Sequence, residues 1–486
     1  MLTAFVIAYL ALSMLIGLLA ARHVHSAGDF VTAGRSLPFL IVVAMVFATW
    51  FGAEAVLGTP ATFLSADLGG LISDPFGAAF CLIIFGVFFA RKLYAMNLLT
   101  IGDFYRQRYG RKVEVITAIA IALSYLGWVS AQVMALGVVF NVLSDGAIST
   151  ELGILIGAGI VFFYTVVGGM WSVALTTAFQ MIVIVVGLFV IAYLASTMTG
   201  GVWPVIEHAA QHDKFNFWPE LNAVAMLGFL ASFLTLAFGS VPQQDVFQRA
   251  NSAKSANVAV WGTIIGGVIY LAFAVVPLFL TYSSQLIDPA LVARLLEENP
   301  DGILPALIKG HFPLYAQVIF YGALLAVIMS TASGTLLAPS VTLAENVIKG
   351  WLLKNPSDRQ MLWTLRAVIS GFTLLVVAYT LWSLSHETGI HAMVEAAYKV
   401  TLVVAFVPLV AGLYWSRANT QGAYWSIGLG VLVWIPLEFI MPEAEISPHF
   451  WGFLAAIVGM IVASLLTPQL QPQPESKSAV RAAPSA

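Results

Sequence analysis

The chain is 486 residues long, 60% hydrophobic and only 9% charged, with a formal net charge of −3 and a mean hydropathy of +0.92. A soluble chain of this size needs close to a quarter charged residues, so a water-soluble enzyme is excluded, and disorder is excluded by the high apolar content. One cysteine, Cys81, rules out a disulfide framework, and 21 basic against 24 acidic residues argue against a nucleic-acid partner.

About 20 mostly apolar residues cross a bilayer as a helix. The sequence predicts thirteen such runs, at 2–21, 38–64, 74–90, 114–143, 151–168, 173–198, 223–243, 257–281, 314–347, 367–384, 393–415, 422–440 and 449–467. Long alternating strands are absent, so the expected fold class is an all-α polytopic membrane protein and not a β-barrel. The first run has no basic residue before it and Arg22 after it, the reverse of a signal peptide. It reads as a retained span with the N-terminus outside. With thirteen spans, seventeen of the 21 Lys and Arg fall on one side, three (Lys214, Arg294, Lys309) fall on the other, and Lys399 lies within a span. The excess marks the cytoplasmic side. The expectation is one transmembrane domain over 1–467 in the cell (inner) membrane, followed by a disordered cytoplasmic tail over 468–486 rich in Pro, Ser, Gln and Ala.

Two runs are interrupted near their middles. The second passes through Phe47-Ala48-Thr49-Trp50-Phe51-Gly52-Ala53-Glu54 and then Gly58-Thr59-Pro60, and the seventh through Gly239-Ser240-Val241-Pro242-Gln243-Gln244-Asp245. Gly and Pro there free backbone groups that must find partners or line a cavity. The breaks are five spans apart, each heading a block of five (spans 2–6, about 38–198, and spans 7–11, about 223–415). That spacing predicts an inverted-repeat transporter with its site at the midplane.

Several separated motifs carry a family resemblance. They are Asp29-Phe30-Val31-Thr32-Ala33-Gly34-Arg35-Ser36-Leu37-Pro38, Ala48-Thr49-Trp50-Phe51 through Gly58, Gly168-Gly169-Met170-Trp171-Ser172-Val173, Phe247-Gln248-Arg249 with Ser252-Ala253-Lys254-Ser255, and Leu325 through Ser333. In that order they resemble the sodium:solute symporter family, a branch of the LeuT-like fold. The resemblance implies a 5+5 inverted repeat with one extra N-terminal and two extra C-terminal helices, no enzymatic activity, and no cofactor apart from Na+ as coupling ion.

Sodium is a hard cation and takes oxygen ligands. Along a helix the Val327 carbonyl lies near Ser330 and Thr331, three and four residues on. The Ala48 and Phe51 carbonyls, freed by the break, are candidates to complete the shell. The resemblance implies the same five positions. Many relatives carry Thr-Asp after the Gly-Gly turn where this chain has Thr176-Thr177, so one sodium per solute is expected. One ion suffices, because about 2.3 kcal/mol from 100 mV and about 1.4 kcal/mol from a tenfold gradient support roughly 500-fold accumulation of a neutral solute.

Candidate solute-binding residues are Trp50 and Glu54 on the first break, Tyr125, Trp128 and Gln132 on span four, and Gly239, Gln243 and Gln244 at the second break. Aromatic rings there can stack on a solute or hold a cationic head. An ionised Glu54 at mid-bilayer must face the cavity or a partner. The choline-transporter branch of the family usually carries an aromatic residue after the proline of the second break. Here Gln243 stands in that place, which weakens a quaternary-ammonium substrate. Glu395 and Lys399, four apart, read as a self-neutralising pair, and His386, Glu387 and His391 as solvated loop residues. The leading expectation is sodium-coupled symport of a small polar organic solute. The alternatives are a solute sensor and proton coupling through Glu54.

Overall fold

A computed structural model describes residues 2–349, 352–353, 356–386, 390–442 and 444–467. The expected tail over 468–486, with Lys477 and Arg481, and the loop residues Lys354 and Glu387 lie outside the described residues.

Among the described residues, regular structure is entirely helical apart from isolated bridges such as Leu37 with Ala253. Nine helices there are long and apolar enough to cross a membrane, and two further helix pairs, each bent at a short break, bring the number to 11. The bent pairs are Phe39–Trp50 with Glu54–Ser65, at 60°, and Ala223–Gly239 with Gln244–Asn251, at 47°. Both breaks fall on the two Gly- and Pro-interrupted runs. Leu2–Ala20 adds an apolar helix at the N-terminus.

The longest helical segment, Thr150–Met198, has 49 residues and one non-helical residue, Gly169, at φ 50° and ψ −140°. A straight rod of that length reaches about 73 Å, more than twice a bilayer core. It is not straight. Tyr164 donates to the Met329 carbonyl, and Gly187 packs on Ala323. Those two partners are six residues apart on Leu314–Thr342, about 9 Å, whereas Tyr164 and Gly187 would be about 35 Å apart on a rod. The chain therefore folds back at Gly169. A Cβ at Gly169 would sit 2.5 Å from the Phe30 carbonyl, so only glycine fits this turn.

Large apolar side chains such as Ile182, Leu374, Leu432 and Phe439 are exposed on helix surfaces. In a bilayer these faces meet lipid, and the buried faces form the core. Asp358–Leu384 starts nine residues before its apolar run at 367, because Arg359 and Arg366 belong to its first turns. Short helices at Ala27–Thr32, Ile101–Tyr109, Val202–Gln211, Pro289–Glu298 and Ile303–His311 had no counterpart among the apolar runs, being too short or too polar to register as spans.

Gly169→Ala is expected to cost about 1–3 kcal/mol through its positive φ and to lower the unfolding temperature of the purified protein. Gly159→Ala, with nothing within 4 Å of its added Cβ, should leave it unchanged. Equal temperatures for the two variants would contradict the turn.

Candidate functional site

At the first break three backbone groups are taken up by two neighbouring helices. The Ala53 amide donates to Oε1 of Gln132, 2.9 Å away on Arg111–Leu143. Oγ1 of Thr331, on Leu314–Thr342, lies 3.0 Å from the Ala48 carbonyl and 3.2 Å from the Phe51 carbonyl. On the preceding residue, Ser330 Oγ donates to the Val327 carbonyl at 2.8 Å. Thr331 thus joins Ala48 and Phe51 across the two helices, and Ser330 and Val327 are its near neighbours on its own helix, all five buried. Two freed carbonyl oxygens and one hydroxyl oxygen meet there, oxygen donors of the kind a hard monovalent cation takes.

The Gln132 amide is oriented by its bond from Ala53, which directs its Nε2 onto Glu54 Oε2 at 2.6 Å. Trp128 Nε1, a pure donor, meets the other Glu54 oxygen at 3.1 Å. Trp50 stacks on Trp128 with ring centroids 4.9 Å apart and touches Tyr398 at 5.1 Å, and Trp128 and Tyr398 are 5.6 Å apart. Tyr125 stacks on the far side of Trp128 at 5.8 Å. These four rings are fully buried. Trp50, Glu54, Tyr125, Trp128 and Gln132 are therefore brought together in one buried cluster.

At the second break the freed Gly239 carbonyl accepts from Thr401 Oγ1 at 2.6 Å, and an added Cβ on Gly239 would strike the Tyr398 carbonyl at 2.5 Å. Gln243 joins this group, donating to Ser124 Oγ at 3.0 Å. Gln244 does not. Its Oε1 accepts from the Ile101 amide at 2.8 Å, capping Ile101–Tyr109, because the bend turns it away from the rings. Lys399 pairs with Glu438 at 3.0 Å and not with Glu395, because Thr420–Ile440 packs close enough to compete with the helical neighbour. His391 is a half-buried residue in the first turn of Ile390–Thr401 packed on Gly58, not a solvated loop residue.

Three residues joined this site without having been singled out. Tyr398, from span eleven, closes the ring cluster. Asp245 accepts from Tyr125 Oη, while its other oxygen, Oδ2, has no hydrogen-bond partner among the described residues. Asp74 is held between Tyr270 and Thr59. The argument used for Glu54 applies equally to Asp74 and Asp245, each a carboxylate in an otherwise apolar run. No local signal marked Tyr398.

A bundle of apolar helices with two bent spans and buried polar side chains beside their breaks is the architecture of a polytopic membrane transporter. The sodium:solute symporter family matches residues 30–430, and the chain belongs to that family. The human high affinity choline transporter 1 is 27% identical over 441 residues, covering 86% of this chain and 73% of the relative. The sodium/proline symporter of Haemophilus influenzae is 25% identical over 479 residues, covering 93% and 92%. Among solved structures, a Na+-coupled sialic acid symporter in a substrate-bound outward-open state aligns with TM-score 0.78 at 19% identity, covering 96% of this chain and 98% of that one. MhsT in complex with L-phenylalanine aligns at TM-score 0.55 and 13% identity, covering 88% and 99%. These likenesses establish a LeuT-like fold.

Gln132→Met keeps the side-chain length but leaves the Ala53 amide and one Glu54 oxygen unpaired, at about 1–3 kcal/mol for each. Thermal unfolding in detergent is expected to fall accordingly. A wild-type profile would show that the amide does not bridge the break.

Proposed function

We propose that this protein imports a small polar organic solute by alternating access, driven by one sodium ion per cycle. The ion is held by the carbonyls of Ala48, Phe51 and Val327 and the hydroxyls of Ser330 and Thr331. The observation that carries this reading is the approach of Thr331 Oγ1 to two carbonyls freed by the break in another helix. A hydroxyl donates one hydrogen to one carbonyl at a time. Sodium in the same place is shared by all five oxygens, so binding it pulls the two helices together more strongly than the hydroxyl does alone.

Coupling follows from adjacency. Trp50 and Glu54 sit on the same break as the Ala48 and Phe51 carbonyls, so fixing the break with an ion also fixes the solute-facing side chains. We take the chain over 1–467 as a single transporter domain of thirteen spans. The Gly169 turn divides Thr150–Met198 in two, and Leu2–Ala20 is the first span. Spans 2–6 and 7–11 form the inverted repeats, with the N-terminus outside and the C-terminus cytoplasmic. Rocking of spans 2–3 and 7–8 against spans 4–5 and 9–10 opens the midplane to each side in turn. The choline and proline relatives bracket the size of the solute.

Ser330→Ala and Thr331→Ala are each expected to raise the sodium concentration for half-maximal uptake into proteoliposomes at least tenfold, or about 1.4 kcal/mol in ion binding. Unchanged sodium dependence in both variants would remove the site. Sodium-independent uptake that rises with a pH gradient would replace sodium by a proton.

A further inference from the structure

A groove of about 760 Å³ lies between Thr150–Met198, Val202–Gln211, Ala256–Ile287 and the far end of the half-helix Glu54–Ser65. That volume is in the range of ordinary ligand sites. Its long walls come from residues 189–196 and 275–282, each about 10 Å of helix. Among the described residues that line it, none is charged. The few polar side chains in the wall are already engaged or lie at the rim. Ser196 Oγ donates to the Tyr193 carbonyl at 2.7 Å, the Tyr282 hydroxyl pairs with His208 Nδ1 at 3.0 Å, and Tyr193 is exposed. Such a wall holds neither an ion nor a polar solute. It suits an apolar occupant.

The surroundings say which one. Phe63, Val276 and Tyr282 form a buried floor, whereas Phe189, Tyr193 and Val275 are exposed at the lip. The lip continues the lipid-facing surface of two helices. Ile182, Val186, Phe189 and Tyr193 are all exposed, at i, i+4, i+7 and i+11, and so are Trp261, Ile265, Val268 and Val275. Phe189 packs on Phe273 with ring centroids 5.3 Å apart, so the two exposed faces run side by side into the groove. Its other end is at headgroup level. Val202–Gln211 lays Val202, Val205, Ile206 and Ala209 into the groove at helical spacing and leaves Glu207 and Gln211 exposed, the pattern of a helix lying in the interface. Trp203 on that helix and Trp218 just beyond it are exposed, and tryptophan collects at the headgroups.

We infer that an acyl chain of a membrane phospholipid seats in this groove, with its headgroup beside Trp203 and Trp218, and steadies the half-helix Glu54–Ser65. The contact to that half-helix is Phe63, whose ring lies 5.6 Å from Tyr282 across the groove floor. The segment that roofs the groove holds the same half-helix from outside, because Lys214 Nζ donates to the Leu64 and Ala66 carbonyls, both at 2.8 Å. A chain in the groove therefore touches the broken span, one wall helix and the roof at once. The lipid site goes beyond the sodium-coupled transport reading and does not depend on it.

The test uses the purified full-length protein in phosphatidylcholine nanodiscs containing a trace of phosphatidylcholine with a diazirine in its acyl chain. After irradiation the label is mapped by peptide mass spectrometry. Residues 189–196 and 275–282 are expected to carry at least fivefold more label than Leu374 and Leu375, which are exposed on a different helix, Asp358–Leu384. Ala192→Trp fills the groove from its wall and Val275→Trp from its lip. Each should cut groove labelling at least fivefold, while unchanged labelling at Leu374 and Leu375 shows that the variant is folded. Adding phosphatidylcholine to the delipidated protein should slow hydrogen exchange over Glu54–Ser65 at least threefold in wild type and not in Ala192→Trp. Equal labelling of the groove and of Leu374 and Leu375 would overturn the inference, as would filled variants labelled like wild type. A groove shielded from label in discs that hold two copies of the chain would replace the lipid by a second copy. Groove labelling without slower exchange would strike out the steadying of the broken span.

Discussion

A helix broken inside a bilayer releases backbone groups that neither lipid nor water can satisfy, and how this chain satisfies them organises the rest of the molecule. At the first break the Ala53 amide goes to Gln132, and the Ala48 and Phe51 carbonyls go to Thr331. These bonds tie the break to two long helices, Arg111–Leu143 and Leu314–Thr342, and so fix where Trp50 and Glu54 point. At the second break Thr401 does the same for Gly239 and brings Tyr398 onto the rings. The backbone disruption and the site are one structural feature.

The low dielectric that makes an unpaired carbonyl costly also makes an unbalanced charge costly. Carboxylates near helix ends, such as Glu114 and Glu345, have resident cations beside them. Glu54 and Asp74, deeper in, have only neutral donors. In the proposed cycle, ion and solute stabilise each other without touching, since both act on the same few residues of the first break.

Much of this was legible in the residues. Gly and Pro at fixed places announced the two breaks, because the backbone chemistry that interrupts a helix is local. The i, i+3 and i, i+4 spacing put Val327, Ser330 and Thr331 on one helix face. Failures had a common origin. Gln244 and Lys399 were read against their nearest sequence neighbours, and each found a better partner on a different helix, Ile101–Tyr109 and Thr420–Ile440. His391 was read as loop because its helix begins one residue earlier, at Ile390.

The sequence by itself determined that the chain is a bundle of apolar membrane helices and where two of them break. Periodicity, hydropathy and the chemistry of Gly and Pro are properties of short stretches, and they survive without knowledge of the neighbours. Tertiary structure alone decided that Tyr398 completes the ring cluster, that Asp245 meets Tyr125, and that Glu54 is met by Trp128 and Gln132. Those facts depend on which faces of helices more than a hundred residues apart come into contact, and no short stretch of sequence encodes that.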